Sequence, residues 1–396
     1  MKSKTTLGSN ALLWFGAAVS LAEIMTGTYF APLGFAKGLS AIIIGHITGG
    51  IFMYLAALIG ARTNMGAMES AALSFGKTGA KIFAAANTIQ LFGWTSIMLA
   101  GGAAISSVCF DFSAAYEISI VLMAGLIIAC CIAGLTNISK INYIAVGLLF
   151  ILSLMLSTII FSGDGAIVST EMISFGAAVE LAAAMPVSWL PVIADYIKDA
   201  EKPVKAAGIS CLTYFIVSCW MYIIGMGAAI FVGESDIAVI FVQVGLGAAA
   251  LLIALLSTVT TTFLDVYSAG ISAALVNSKV NSKLIMIIVC IVAALLSVFA
   301  PVNRFESFLY FIGSIFVPMI AIMITDHFVL KQKHDGDVLC IKNIVLWSMG
   351  FIIYRIFMQI DLPCGNTLPA IILISICCII AECCIRKIKR IAFTRE

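Results

Sequence analysis

Three carboxylates, Glu23, Glu180 and Asp265, lie inside long apolar stretches of this chain. A carboxylate at mid-membrane depth costs roughly 2.5–3.5 kcal/mol even on lenient insertion scales, so an acid retained there is expected to face a cavity, a partner or a permeating solute. The segment Glu180-Leu-Ala-Ala-Ala-Met-Pro186-Val-Ser-Trp189-Leu-Pro191-Val-Ile-Ala-Asp195 adds two prolines to two acids. Proline removes a backbone donor and clashes with the preceding turn, and in hydrocarbon each freed carbonyl must be satisfied by protein or by a water-filled cavity. This pattern predicts a broken helix lining a polar site, the device by which secondary transporters hold substrate and ions near the bilayer midplane.

Two further constellations point the same way. In Ser257-Thr-Val-Thr260-Thr261-Thr262-Phe-Leu-Asp265, residues 257, 260 and 261 stand at i, i+3 and i+4, so their hydroxyls share a helical face, and Asp265 follows one turn on. Hard oxygen ligands of this kind suit a small hard cation, with carbonyls of an unwound neighbour completing the shell. The same hydroxyls can instead bond back to the i−4 carbonyl or join helices. In Asn87-Thr-Ile-Gln90-Leu-Phe-Gly93-Trp94, residues 87, 90 and 94 form a stripe of amides and an indole that suits a flat heterocycle. A packing role for Trp94 is the alternative. Glu23, Glu180 and Asp265 can accept from an exocyclic amine and pair with a protonated ring nitrogen, or they can carry a coupling proton. Asp195, followed by Tyr196-Ile-Lys198, reads as an interfacial structural acid.

The elements that must position these residues are membrane helices. With 62% apolar and 11% charged residues and a mean hydropathy of +1.14, the chain is far from the ~25% charge of a soluble domain. Apolar runs of spanning length, about 20 residues each, fall near 10–34, 38–61, 82–108, 117–136, 141–162, 172–197, 206–232, 240–276, 284–300, 305–330, 342–360 and 367–385. This predicts an all-α integral membrane protein of about twelve helices. Lys and Arg collect on alternate connections, with only Lys37, Arg304 and Arg355 elsewhere, which places both termini in the cytoplasm. Asp111, Asp164, Glu171, Glu234, Asp236 and Asp361 fall on the opposite face. The expected setting is the cell membrane, multi-pass, with the lipid bilayer as a partner and no case for nucleic acid. No Walker A, HExxH or GxSxG string occurs, so neither a nucleotide-driven pump nor an enzyme has a motif to rest on.

The first span, Trp14-Phe-Gly16-Ala-Ala-Val-Ser20-Leu-Ala-Glu23-Ile-Met-Thr26-Gly27 and on to Pro32, carries an acid, small residues and proline, as the sixth does. Breaks in the first and sixth spans suggest two inverted five-helix repeats, 10–162 and 172–330, with two added helices at 342–385. Kinks made only for packing are the alternative.

Thr26-Gly27, Gly45-His46-x-x-Gly49, Ile59-Gly60-Ala61-Arg62-Thr63, Gln90-x-x-Gly93-Trp94, Ala194-Asp195-Tyr196, Thr260-Thr261 and Tyr267-Ser268, in this order, resemble nucleobase:cation symporter family 1. Within it they resemble the branch of cytosine permease and the hydroxymethylpyrimidine transporters. The resemblance implies the leucine-transporter-type five-plus-five fold with two extra C-terminal helices, alternating access, and uptake of a heterocycle driven by sodium or protons. It implies that Trp94 stacks on the ring, that Ser257, Thr260 and Thr261 offer sodium-site oxygens, and that carbonyls near Ala17 and Ser20 complete that site. Pro186 stands where relatives have an aromatic, so Trp189 is the candidate second stacking face. Asp265, and Glu23 beside the first break, favour a substrate more basic than cytosine. The expected substrate site is therefore Trp94, Gln90, Glu23, Glu180, Trp189 and Asp265, the expected substrate an aminopyrimidine such as hydroxymethylpyrimidine, and the alternatives a cytosine or purine permease or, less readily, an amino-acid carrier.

Overall fold

The computed structural model describes residues 4–110, 113–133, 135–161, 173–231, 239, 247–299 and 305–393. Helices occur within each of the twelve apolar segments. They are α1 (Leu7–Ala18), α2 (Leu21–Thr28), α3 (Phe35–Thr63), α4 (Ala67–Ser70), α5 (Ala72–Cys109), α6 (Ala115–Ala133), α7 (Leu135–Ile160), α8 (Phe175–Ser188), α9 (Ile193–Ile197), α10 (Pro203–Phe231), α11 (Gly247–Val276), α12 (Ser282–Phe299), α13 (Phe305–Ile324), α14 (Ile341–Phe357) and α15 (Thr367–Phe393). Among the described residues, 8 helices are long and apolar enough to cross a membrane alone, and the bent pair Leu7–Ala18 with Leu21–Leu33 makes a ninth.

Both expected breaks are present. The first span bends by 47° between α1 and α2. The sixth stops at Ser188, turns through residues 189–192 and resumes as α9. The third span starts earlier than the expected residue 82, because hydropathy marks membrane depth while the helix runs on past Lys77 and Lys81 to a kink at Gly76, whose φ is 75°. The expected ends at 162, 172, 232, 240 and 300 lie outside the described residues, as do Asp111, Asp164, Glu171, Glu234, Asp236 and Arg304.

Lipid is as apolar as leucine, so helices associate in it through close packing, which small residues permit. Gly45 and Gly49, one turn apart on α3, lie against the backbone of α8 around Val179 and Ala183, where any Cβ would overlap. Gly27 of α2 and Gly225 of α10 make a second backbone approach. α5 runs along α11, while α10 packs on α1, α2 and α3. These contacts hold the first broken span against α10 and the second against α3, with Trp14, Tyr214 and Tyr222 fully buried. Asp195 closes one end, accepting the Ala67 N–H at 2.9 Å and the Ser268 hydroxyl at 3.1 Å. It thus ties α9 to α4 and α11.

Candidate functional site

The two breaks face one another across a cavity of about 390 Å³, counted with the open space at its mouth. At the first break the N–H of Ser20 bonds Ala18 O at 2.9 Å, so it no longer reaches Gly16 O. The Ser20 hydroxyl caps α2 by accepting the Glu23 N–H at 3.3 Å, which sets Glu23 in the first turn. The released Gly16 carbonyl accepts the Thr261 hydroxyl at 3.4 Å. At the second break Trp189 N–H bonds Pro186 O and Val192 N–H bonds Trp189 O, a tight turn that aims the Trp189 ring inward. α5 contributes Leu91, Trp94 and Met98, and α11 contributes Thr261 and Asp265.

Two indoles and two acids therefore meet at one apolar cavity, and the acids differ in their surroundings. Both Glu23 oxygens are engaged: Oε1 lies 2.6 Å from the Tyr214 hydroxyl and Oε2 lies 2.7 Å from that of Ser218. Trp189 Nε1–H donates to the Tyr214 oxygen at 2.8 Å, linking the second break to the acid of the first. Asp265 is buried, lines the cavity, and accepts no hydrogen bond from the described residues. Its oxygens face the cavity, so they are acceptors that an incoming donor can engage.

The expected site residues thus divide. Glu23, Trp94, Trp189, Asp265, Ala17, Ser20 and Thr261 line the cavity together. Gln90 sits beside them on α5, donating to Asn87 Oδ1 at 2.6 Å, while Asn87 reaches Ser272 at 2.8 Å. Thr260 turns its hydroxyl back to Leu256 O at 2.8 Å. Ser257 is fully buried one turn below Thr261, and its hydroxyl has no partner among the described residues. Glu180 is absent from the cavity wall. Its Oε1 accepts from Tyr354 at 2.6 Å and from the Thr367 hydroxyl at 2.8 Å, and its Oε2 accepts the N–H groups of Asn366 and Thr367, both at 2.7 Å. It anchors the N-terminus of α15, where a negative charge is favoured by the helix dipole.

Sequence reasoning missed Tyr214, Ser218 and His46, which complete the surroundings of Glu23. The available signal was His46 itself, an ionisable residue inside a spanning segment. His46 Nε2 lies 2.6 Å from Ser218 Oγ, and Nδ1 lies 2.9 Å from Ile42 O.

Residues 3–345 match the family profile described as permease for cytosine/purines, uracil, thiamine, allantoin. The cytosine permease of Escherichia coli (strain K12) is 21% identical over 354 residues, spanning 87% of this chain and 82% of the permease. Among solved structures, Mhp1, a nucleobase-cation-symport-1 family transporter, in a closed conformation with bromovinylhydantoin bound, superposes with a TM-score of 0.77 at 16% identity, covering 94% of this chain and 92% of its own. A Na+-coupled sialic acid symporter gives a TM-score of 0.71 at 13% identity over 96% of this chain and 88% of its own. At these identities the structures speak to the fold, and that fold is the leucine-transporter-type bundle expected from the sequence.

Proposed function

The chain belongs to the family of permeases for cytosine and purines, uracil, thiamine and allantoin, a family of membrane transporters and not of enzymes, and from that premise we propose that it imports an aminopyrimidine more basic than cytosine by cation-coupled alternating access. The observation that carries this reading is Asp265, a buried acid open to a cavity that also presents Trp94 and Trp189. A planar aminopyrimidine offers faces to the indoles and an exocyclic N–H to the carboxylate, replacing a desolvated, unpaired acceptor with a charge-assisted bond. Hydroxymethylpyrimidine fits this description.

Sodium is the proposed coupling ion. The Gly16 carbonyl, freed from the helical ladder, meets the Thr261 hydroxyl, and the Ser257 hydroxyl on the same face has no partner among the described residues. These oxygens, with carbonyls at Ala17 and Ser20, are the ligand type a hard monovalent cation takes, and a broken helix beside an intact one is where transporters of this architecture place it. In this reading residues 10–162 and 172–330 are inverted repeats around the two breaks, and 342–385 are added helices. The chain lies in the cell membrane with both termini inside. Thr5 pairs with the backbone at Asp199 and Glu201, placing the N-terminal segment on the same face as Lys198 and Lys202, the arrangement that the positive-inside rule favours.

A second reading, a cytosine or purine permease, is favoured by the 21% identity to cytosine permease. The two are separated by uptake of labelled hydroxymethylpyrimidine into cells lacking their own pyrimidine carriers, with and without sodium and with excess unlabelled cytosine. Sodium-stimulated uptake that cytosine fails to displace supports the first reading. Transport of cytosine with none of hydroxymethylpyrimidine transfers the function to the second.

A further inference from the structure

Glu23, Ser218 and His46 form a continuous buried chain from the cavity wall into the bundle, and its hydrogen atoms can be counted. His46 Nδ1 faces the carbonyl of Ile42 at 2.9 Å. A carbonyl only accepts, so Nδ1 carries hydrogen. Nε2 of a neutral His46 is then an acceptor, 2.6 Å from Ser218 Oγ. On its other side Ser218 Oγ lies 2.7 Å from Glu23 Oε2. The serine has one hydrogen, and the two flanking atoms both need it if Glu23 is ionised and His46 neutral. One close contact would then be lone pair against lone pair, in a place where all three residues are at most 1% exposed. The remaining Glu23 oxygen offers no relief, because the single Tyr214 hydrogen already goes to Oε1 while Tyr214 accepts from Trp189.

One additional proton satisfies every atom, in either of two arrangements. With Glu23 protonated on Oε2, the acid donates to Ser218, which donates to neutral His46. With His46 an imidazolium, Nε2–H donates to Ser218, which donates to the Glu23 carboxylate. They interconvert as the proton leaves Glu23 Oε2 for Ser218 Oγ while the serine's own proton passes to His46 Nε2. Both arrangements have net charge zero.

We propose that Glu23, Ser218 and His46 constitute a proton-binding site that holds one shared, exchangeable proton, and that its loading is linked to occupancy of the adjacent cavity. The linkage rests on the functional reading given above; the proton count does not. The titratable groups facing the chain are Tyr214, Tyr222 and Cys219 from α10, with Tyr222 edge-on to His46 at 4.7 Å between ring centroids, and Asp265 from α11 on the same cavity. Among the described residues no salt bridge reaches either Glu23 or His46. In sodium-free medium, where the cation proposed above cannot offset it, the charge of an unloaded Glu23 would therefore stand uncompensated in a cavity that already holds Asp265. A neutral heterocycle cannot offset it, so such a ligand binds the loaded form, and by reciprocity the loaded form is the one its binding stabilises.

The test starts from the purified full chain in lipid, labelled with 15N at histidine and 13C at the glutamate side-chain carboxyl. The chain has 3 histidines, so His46 is resolvable by nuclear magnetic resonance. The expected result near neutral pH is one proton on the chain: protonated Glu23 with neutral His46, or ionised Glu23 with imidazolium. In Glu23→Gln the amide nitrogen replaces the protonated oxygen, and His46 should stay neutral with hydrogen on Nδ1 at neutral pH and above. Neutral His46 together with ionised Glu23 in the wild type at neutral pH overturns the site. A second arm measures cytosine affinity against pH. One linked proton makes Kd rise by up to about tenfold per pH unit above the unloading point. In His46→Leu the serine hydrogen is released to the Glu23 carboxylate, so the same dependence should shift to lower pH. A cytosine Kd that ignores pH while the resonances report unloading overturns the linkage. Failure of both cytosine and hydroxymethylpyrimidine to bind refutes the functional reading, and the resonance data then decide the proton site alone.

Discussion

Glu180→Gln separates a structural acid from a substrate-binding one. Four donors converge on the Glu180 carboxyl: the Tyr354 and Thr367 hydroxyls on Oε1 and the Asn366 and Thr367 N–H groups on Oε2, all between 2.6 and 2.8 Å. Gly365, at φ 73°, is the left-handed turn that swings the start of α15 onto this acid. Glutamine has the same shape, and its best placement turns the carbonyl oxygen to the two backbone N–H groups and the amide nitrogen to the hydroxyls. Bonds to a charged acceptor contribute about 1.5–3 kcal/mol each and neutral ones about 0.5–1.5 kcal/mol, so each bond loses roughly 1 kcal/mol. The Tyr354 hydroxyl must also find a new acceptor in a buried setting. The expected destabilisation is about 4 kcal/mol or more, read from denaturant unfolding of the purified protein by tryptophan fluorescence. Because Glu180 lies off the cavity wall, substrate Kd in the folded fraction should stay within about twofold of wild type. A variant of unchanged stability, or one whose Kd rises tenfold at unchanged stability, would refute this reasoning and return Glu180 to the substrate site.

Three other outcomes are expected. Asp265→Asn exchanges a charge-assisted acceptor for a neutral one, about 1.4 kcal/mol or tenfold in affinity, and should weaken an aminopyrimidine more than a pyrimidine without an exocyclic amine; equal losses for both would place Asp265 outside the contact. Trp94→Ala removes one stacking face and its buried area, together about 2–3 kcal/mol, so saturable uptake should disappear at substrate levels that saturate the wild type while the amount of protein in the membrane is unchanged. Thr261→Ala deletes a hydroxyl at the Gly16 carbonyl and should raise the sodium needed for half-maximal uptake several-fold; an unaltered sodium dependence would leave the proton site on Glu23 as the coupling element.

The class, the segments and the breaks were legible from local signals. Composition alone requires a lipid environment, apolar run length sets the helices, Pro191 falls in the turn that breaks the sixth span, and small residues leading to Ser20 mark the break in the first, whose Pro32 lies beyond α2. These properties are local because in hydrocarbon each helix must satisfy its own backbone before it meets a neighbour. Trp94, Glu23, Asp265 and Thr261 were legible as chemically unusual residues for the same reason.

Which unusual residues face one another is a property of helix packing, and only the tertiary structure decided it. Glu23 and Glu180 read alike in sequence, each an acid near a break. One lines the cavity because α2 lies against α5 and α10, while the other points at α15, a helix nearly two hundred residues later. Ser257 and Thr260 share a face by spacing, yet one hydroxyl is left open and the other folds back on its own helix. His46 stands 172 residues from Ser218, and Ser218 stands 195 from Glu23. No window of sequence contains that proton path. It exists because α10 packs on both α2 and α3, with Gly27 and Gly225 letting α2 and α10 approach closely, which brings polar side chains of three helices within hydrogen-bonding distance.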